Sequence, residues 1–108
     1  MNPPSVKADE IERLRVKYPD RIPIFLIKGS NTTETIGKMK YLVPSTITLG
    51  EFIQSIRRLS KLRPEKALFF YINDTLPNNG ALISAIYARH KNADGALHIT
   101  YSEENTFG

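Results

Sequence analysis

Few groups in this sequence could take part in a chemical reaction. The carboxylate of the terminal glycine is the clearest candidate. Gly108 lacks a Cβ, so its carboxylate could enter a narrow enzyme channel. Once activated, its carbonyl would be open to attack by a thiolate or an amine. A glycine in this position can also be an accident of where the sequence ends, and position alone leaves both explanations open.

The remaining polar groups do not predict a catalytic or metal site. His90 and His98 are separated by a predicted turn and have no third ligand at a suitable spacing. The chain contains no cysteine, which excludes disulfides, thiolate metal ligands and a thiol nucleophile. Phosphate-loop, nucleophile-elbow and zinc-protease motifs are absent as well. The sequence therefore predicts a protein that is not an enzyme and that needs no cofactor.

Size and charge narrow the class of protein further. The length of 108 residues is typical of a single domain. No run approaches the roughly 18 apolar residues that a membrane-spanning helix needs, and the polar N-terminus lacks a signal-peptide core. A net charge of +4 would suit anionic lipid, acidic peptides or nucleic acid, or reflect only a solvated basic surface. We expect a cytoplasmic protein that reaches membranes through a covalent lipid or a partner.

The pattern of apolar residues predicts seven elements in the order α-β-β-α-β-α-β. Thr48 and Glu51 have the spacing of a capping box at the start of the central helix. Apolar residues at helical spacing, at alternating spacing or in short continuous runs define the other elements. The predicted helices are Val6–Lys17, Leu49–Lys61 and Ala81–Lys91, and the predicted strands are Ile22–Lys28, Lys40–Val43, Ala67–Ile72 and Leu97–Tyr101.

This order predicts an α+β protein with the β-grasp (ubiquitin-like) fold, in which a hairpin and further strands form one small sheet under a long helix. We divide the chain into an N-terminal helical extension (1–20), a β-grasp core (21–102) and a flexible C-terminal tail (103–108). The segment Ser102–Gly108 has no periodicity and is predicted to be exposed.

The strand Lys40–Val43 could lie at a free edge of this sheet. Unpaired backbone groups at an edge can accept an extended peptide, while side-chain pockets select its residues. An ordinary edge strand protected by its lysines would have the same sequence pattern, so the residues alone do not decide between the two.

Four segments stand in order within a stretch from about Glu10 to Gly108: Lys17–Pro23, Lys40–Ser45, Ala67–Asn73 and Ile99–Gly108. Together they resemble the GABARAP and light-chain-3 family of autophagy ubiquitin-like proteins. The resemblance implies a β-grasp core with an N-terminal helical extension, and conjugation of Gly108 to phosphatidylethanolamine on autophagosomal membranes. It also implies activating, carrier and ligase-type enzymes as partners, and a processing cysteine protease.

The same resemblance implies a docking face for acidic aromatic-x-x-aliphatic peptides carried by cargo receptors and adaptors. The implied aromatic pocket consists of Glu10, Leu14, Pro23, Phe25, Lys40 and Leu42. The implied aliphatic pocket consists of Tyr41, Val43, Pro44, Ile47, Phe52 and Ile56. Contacts to acidic peptide residues would come from Arg21, Lys38 and Arg57.

The sequence departs from the family pattern beside both pockets. Gly95 and Ala96 replace paired aromatics, which predicts an aromatic pocket that is wider or differently filled and that accepts tryptophan at least as well as phenylalanine. Ser55 and Leu59 stand where an aliphatic residue and an arginine are usual, which predicts a shifted peptide preference.

Two other functions remain as alternatives at this stage. The chain could be a ubiquitin-like tag joined to protein lysines, or an unconjugated β-grasp module that binds RNA or protein through its basic surface. Nucleic acid is not expected, because the aromatic residues lie in core-like runs and are not interleaved with exposed Arg and Lys.

Overall fold

A computed structural model describes residues 8–29, 38–60 and 66–105 of the chain. Within these residues, three helices and four strands follow one another in the predicted order. Most of their bounds agree closely with those predicted from the sequence. The elements are α1 (Ala8–Lys17), β1 (Arg21–Lys28), β2 (Lys40–Pro44), α2 (Leu49–Ser60), β3 (Lys66–Tyr71), α3 (Ile83–His90) and β4 (Leu97–Asn105).

The strands form one mixed sheet in the order β2-β1-β4-β3. β1 and β2 make the predicted antiparallel hairpin, and β3 pairs antiparallel with β4. β1 and β4 are parallel neighbours at the centre of the sheet, because the chain crosses over between them. This is the topology of a β-grasp core, and it places β2 at one end of the described sheet.

Alternate residues of β1 face two different layers of helices. Ile22, Ile24 and Leu26 point into the main core, which α2 and α3 cover. Phe25 points to the other face, where it packs with Ile11 of α1 and with the residue before β4. Burial on both faces explains why β1 is a continuous apolar run. The N-terminal helix is therefore held on the sheet by its own small apolar cluster.

α2 begins at the capping box that the sequence predicts. The Thr48 N–H donates to Glu51 Oε1 at 3.0 Å, and the Glu51 N–H donates to Thr48 Oγ1 at 3.1 Å. Two backbone donors at the helix start are thereby satisfied reciprocally. This fixes the first turn of α2, which carries the buried residue Phe52.

Two predicted bounds were wrong. β4 continues past Tyr101 to Asn105, because Ser102 and Glu103 pair with Phe69 and Leu68 of β3. The predicted tail therefore begins later than Ser102, and residues 106–108 lie outside the described residues. α3 begins at Ile83 instead of Ala81, because Leu82 has extended backbone angles and forms a bridge with Thr48.

Candidate functional site

The outer edge of β2 has backbone groups that do not bond to β1. The Leu26 N–H donates to the Met39 carbonyl at 2.8 Å, so these two residues form a hydrogen-bonded pair of the hairpin. Pairs in an antiparallel ladder alternate, and the backbone groups of Lys40 and Leu42 consequently point away from β1. Pro23 lies opposite Leu42, in a pair that exchanges no backbone hydrogen bonds. The N–H that proline lacks is therefore not needed between β1 and β2.

The Leu42 carbonyl forms its hydrogen bond with a side chain and not with the backbone of a strand. It accepts a long hydrogen bond of 3.4 Å from Nη1 of Arg21, which is exposed. A neutral acceptor at that distance holds the guanidinium weakly. A strand added to this edge could replace the bond and would leave Arg21 beside it.

Alternation along β2 divides the implied pocket residues between the two faces of the sheet. Tyr41 and Val43 lie opposite Ile24 and Ile22, on the face that α2 covers. Lys40 and Leu42 lie opposite Phe25 and Pro23, on the face that α1 covers. The aliphatic set and the aromatic set therefore lie on opposite faces of one edge strand.

On the α2 face, Tyr41 connects the edge to the core. Its ring meets Phe52 edge to face at 5.6 Å, and Phe52 meets Phe70 at 5.7 Å. Lys38 Nζ lies 5.1 Å from the centre of the Tyr41 ring, within the range of a cation–π contact. Burial raises the pKa of the half-buried Tyr41 phenol, and the charge of Tyr101 raises it further.

The aliphatic set separates into surface residues and supporting residues. Tyr41, Pro44 and Ile47 are half-buried and could contact a ligand. Val43, Phe52 and Ile56 belong to the main core, where Ile56 is 0% exposed, and they support that surface from below. Ile47 also lines a groove of about 530 Å³ that runs along the start of α2.

On the α1 face, the accessible residues come from the helix and the edge strand. Glu10 and Lys40 are exposed and Leu14 and Leu42 are half-buried, whereas Pro23 and Phe25 are buried. Glu10 and Leu14 also line a groove of about 250 Å³ along α1, together with Arg13 and Lys17.

Phe25 is held by a residue that the sequence analysis did not assign to this site. The His98 ring stacks on Phe25 at 5.4 Å, and His98 Nε2 lies 2.9 Å from Asp94 Oδ2. Phe25 and His98 are direct neighbours on the parallel strands β1 and β4. The four-residue spacing of Asp94 and His98 could have indicated the pair, but their place beside Phe25 depends on the strand order.

Of the two outcomes expected at Ala96, a wider aromatic pocket or a differently filled one, the structure shows the second. Ala96 is 0% exposed and packs against Ile11, which is 1% exposed, and Phe25. Gly95 has φ +90°, and its carbonyl accepts a 2.6 Å hydrogen bond from the Tyr87 hydroxyl. This turn lies so close to α1 that a Cβ on Gly95 would be 3.1 Å from Ile11 Cγ2. The space that an aromatic side chain would fill is therefore closed by α1.

Comparison with known proteins shows to which family this chain belongs. A model of the family described as "Autophagy protein Atg8 ubiquitin like" matches residues 6–108 of the chain.

The chain belongs to the Atg8 family.

Curated Atg8 relatives are similar over nearly the whole sequence. Autophagy-related protein 8 of Mycosarcoma maydis is 54% identical over 100 residues, which cover 92% of this chain and 85% of the relative. Autophagy-related protein 8 of Schizosaccharomyces pombe is 53% identical over 103 residues, covering 94% and 85%. The expected GABARAP and light-chain-3 membership is confirmed, because that family is the Atg8 family.

Solved Atg8 structures have the same fold. The crystal structure of Trypanosoma brucei ATG8 matches with a TM-score of 0.84 at 38% identity, covering 94% of this chain and 88% of that one. Plasmodium falciparum Atg8, solved in complex with a Plasmodium falciparum Atg3 peptide, matches with a TM-score of 0.81 at 28% identity, covering 93% and 89%. The ubiquitin-like fold with an N-terminal helix is thereby confirmed.

The implied charge contacts are not all in one place on this Atg8-family structure. Arg21 and Lys38 lie beside β2, as described above. Arg57 is half-buried on α2, five residues after Phe52, so helical geometry places it about 140° around the axis from that ring. Arg57 therefore does not point in the same direction as Phe52, whereas Arg21 and Lys38 lie beside the edge.

Three sequence predictions concern sites elsewhere in this Atg8-family chain. Gly108 lies outside the described residues. Among the described residues, no cluster of three or more His, Cys, Asp or Glu side chains could hold a metal ion. None of the helices in the described ranges is long and apolar enough to cross a membrane.

Proposed function

We propose that this chain is an autophagy modifier that becomes attached through Gly108 to phosphatidylethanolamine of autophagosomal membranes and then docks receptor and adaptor peptides. It acts as a modifier and adaptor rather than as an enzyme, and it is cytoplasmic before attachment. The observation that carries the docking half of the proposal is the outer edge of β2, which pairs with no second strand among the described residues and has apolar residues on both of its faces.

The edge explains why a ligand would need its two anchors three residues apart. An extended peptide paired with β2 points successive side chains to opposite faces of the sheet. Anchors at an odd spacing therefore reach different faces, one toward Leu14 and Leu42 and the other toward Tyr41 and Ile47. The backbone groups of Lys40 and Leu42 would supply the hydrogen bonds.

Acidic residues beside the anchors fit the charges near the edge. Arg21, Lys38 and Lys40 are all exposed and lie on or beside β2. Opposite charges raise the rate of encounter and fix the direction of the peptide more than they raise affinity. Arg57 would contact only a peptide long enough to pass around α2.

Attachment to lipid requires enzymes that activate the Gly108 carboxylate and transfer it. The Atg3 peptide bound to the Plasmodium relative supports a conjugating enzyme of the Atg3 type as a partner of this chain. We also propose activating and ligase-type enzymes, a processing cysteine protease, and cargo receptors as partners. Two acyl chains arriving with the lipid are sufficient for stable anchoring.

The test is reconstitution with ATP, Atg8-conjugating enzymes and vesicles that contain phosphatidylethanolamine. Wild type should float with the vesicles and gain the mass of one phospholipid at Gly108. Gly108→Ala should not, whereas Gly80→Ala, a change at an exposed turn glycine, should behave as wild type. Lipid attachment to Gly108→Ala would contradict the proposal, and attachment of the wild type to protein lysines only would favour the ubiquitin-like tag.

A further inference from the structure

The last turn of α2 contains a pattern that peptide docking does not explain. Arg57 and Arg58 stand three and two residues before Ser60, the last residue of α2 that the structure describes. Protein kinases with carboxylates in their peptide cleft select serines preceded by two arginines at this spacing, because each guanidinium forms charge-assisted bonds with carboxylates. We propose that Ser60 is a phosphorylation site for such a kinase and that its modification weakens peptide docking.

The position of Ser60 makes it reachable by local opening. It is half-buried, and its hydroxyl donates to the Ile56 carbonyl at 2.7 Å. Leu59 before it is 70% exposed and Arg58 is exposed. Helix ends open readily, because their last carbonyls lack partners within the helix. Only the last turn of α2 has to unwind for the segment to enter a kinase cleft.

The chemistry needs only the kinase and ATP. Ser60 Oγ attacks the γ-phosphorus of ATP, a new P–O bond forms, and the bond to the β-phosphate oxygen breaks so that ADP leaves. The hydroxyl proton passes to the catalytic aspartate of the kinase. The product is phosphoserine at the C-terminal end of α2.

Phosphorylation would change the packing of the same helix that supports the aliphatic face. Phosphoserine cannot donate to the Ile56 carbonyl, and it adds about −1.5 to −2 charges at a helix end that already has negative partial charge. Both effects favour unwinding of the last turn, which follows directly after the buried residue Ile56. The added charge would also repel an acidic peptide. This regulatory step rests on the proposed docking function, whereas phosphorylation itself does not.

Arginines in a last turn also stabilise a helix through its dipole, and that role alone would need no kinase. The two explanations predict different effects of replacing a single exposed arginine. Arg58→Ala should leave the helix folded, since it removes only one favourable charge from the last turn, but it removes one of the two charges that the kinase would bind.

The first experiment incubates the full chain with ATP and the catalytic subunit of cyclic-AMP-dependent protein kinase, which prefers this arginine spacing. Mass spectrometry should find one phosphate on Ser60 in wild type and in the control Ser84→Ala, which alters an exposed serine without preceding arginines. Ser60→Ala should gain none, and Arg58→Ala should react at least about tenfold more slowly. No phosphate on Ser60, or equal rates in Arg58→Ala and wild type, would overturn the site.

The second experiment compares phosphorylated and unmodified chains for binding of an acidic Trp-x-x-Leu peptide, with circular dichroism as a check on folding. We expect phosphorylation to weaken binding by about fivefold or more. Equal affinities would overturn the regulatory half and leave the site standing. Absence of binding by the unmodified chain would overturn the docking function itself, independently of the mass spectra.

Discussion

The ring of Tyr41 on β2 meets the ring of Phe52 on α2 edge to face, with their centres 5.6 Å apart. This contact joins the free edge of the sheet to the helix that covers it. Because Tyr41 is only half-buried and Phe52 is buried, a change at Tyr41 should alter the docking surface more than the core. The two residues therefore allow binding and folding to be tested separately.

The alkaline stability of the protein should depend on Tyr41. Its pKa in the folded chain is raised by burial, and an unfolded tyrosine ionises near pH 10. Above about pH 10 the folded chain therefore keeps the Tyr41 proton more often than the unfolded chain does. The free energy of unfolding does not depend on this proton below about pH 10, and it decreases as the pH rises through the folded pKa. Urea unfolding at about pH 9 and about pH 11 should show a smaller decrease for Tyr41→Phe than for wild type. An equal decrease in both would contradict this, and exposed Tyr18→Phe serves as the control.

The capping box should contribute measurably to stability. Thr48→Ala removes the hydroxyl that accepts the Glu51 N–H at 3.1 Å. Loss of such a cap typically costs about 1 kcal/mol. The free energy of unfolding in urea should decrease by roughly that amount, whereas Gln54→Ala, at an exposed position of the same helix, should change it by less than about 0.5 kcal/mol. Similar values for both variants would show that the cap is not important.

Gly95 should tolerate substitution poorly. Its φ of +90° disfavours any side chain, and an added Cβ would lie 3.1 Å from Ile11 Cγ2. We expect Gly95→Ala to lower the free energy of unfolding by more than about 1 kcal/mol. Gly80→Ala at an exposed turn is the matched control, with a smaller effect. If thermal unfolding ranks the two variants in the opposite order, the contact between α1 and this turn is not as described.

Unconjugated protein should bind membranes only weakly. No described helix can cross a bilayer, and the net charge of +4 gives only modest attraction to anionic lipid. Cosedimentation with phosphatidylserine vesicles should be low and should disappear when salt is raised to about 0.5 M, because screening shortens the reach of surface charges. Salt-resistant binding without conjugation would mean that the folded chain has its own lipid site.

Much of the fold could be predicted because local signals agree with it. Thr48 and Glu51 marked the start of α2, and the apolar patterns indicated the other helices and strands. The end of β4 could not be predicted, because Ser102 and Glu103 have no apolar alternation. They become strand only by pairing with β3, which the sequence places more than 30 residues earlier.

The site was predicted less completely than the fold. Resemblance supplied the residues on β2, and alternation explains their division between two faces. The closure of the aromatic side could not be predicted, since it depends on how Gly95 brings its turn against Ile11. The role of His98 depends likewise on β4 lying next to β1, and Arg57 requires the orientation of α2. Each of these is a tertiary relationship between distant segments.

The most direct test of the account is titration of an acidic Trp-x-x-Leu peptide against wild type, Tyr41→Ala and Leu42→Ala, with folding checked by circular dichroism. Wild type should bind with micromolar affinity, and each substitution, on its own face of β2, should weaken binding by about tenfold or more. Leu76→Ala, at an exposed leucine in the loop after β3, should bind as wild type. If both β2 variants remain folded and bind the peptide as tightly as wild type, the docking site is not at this edge.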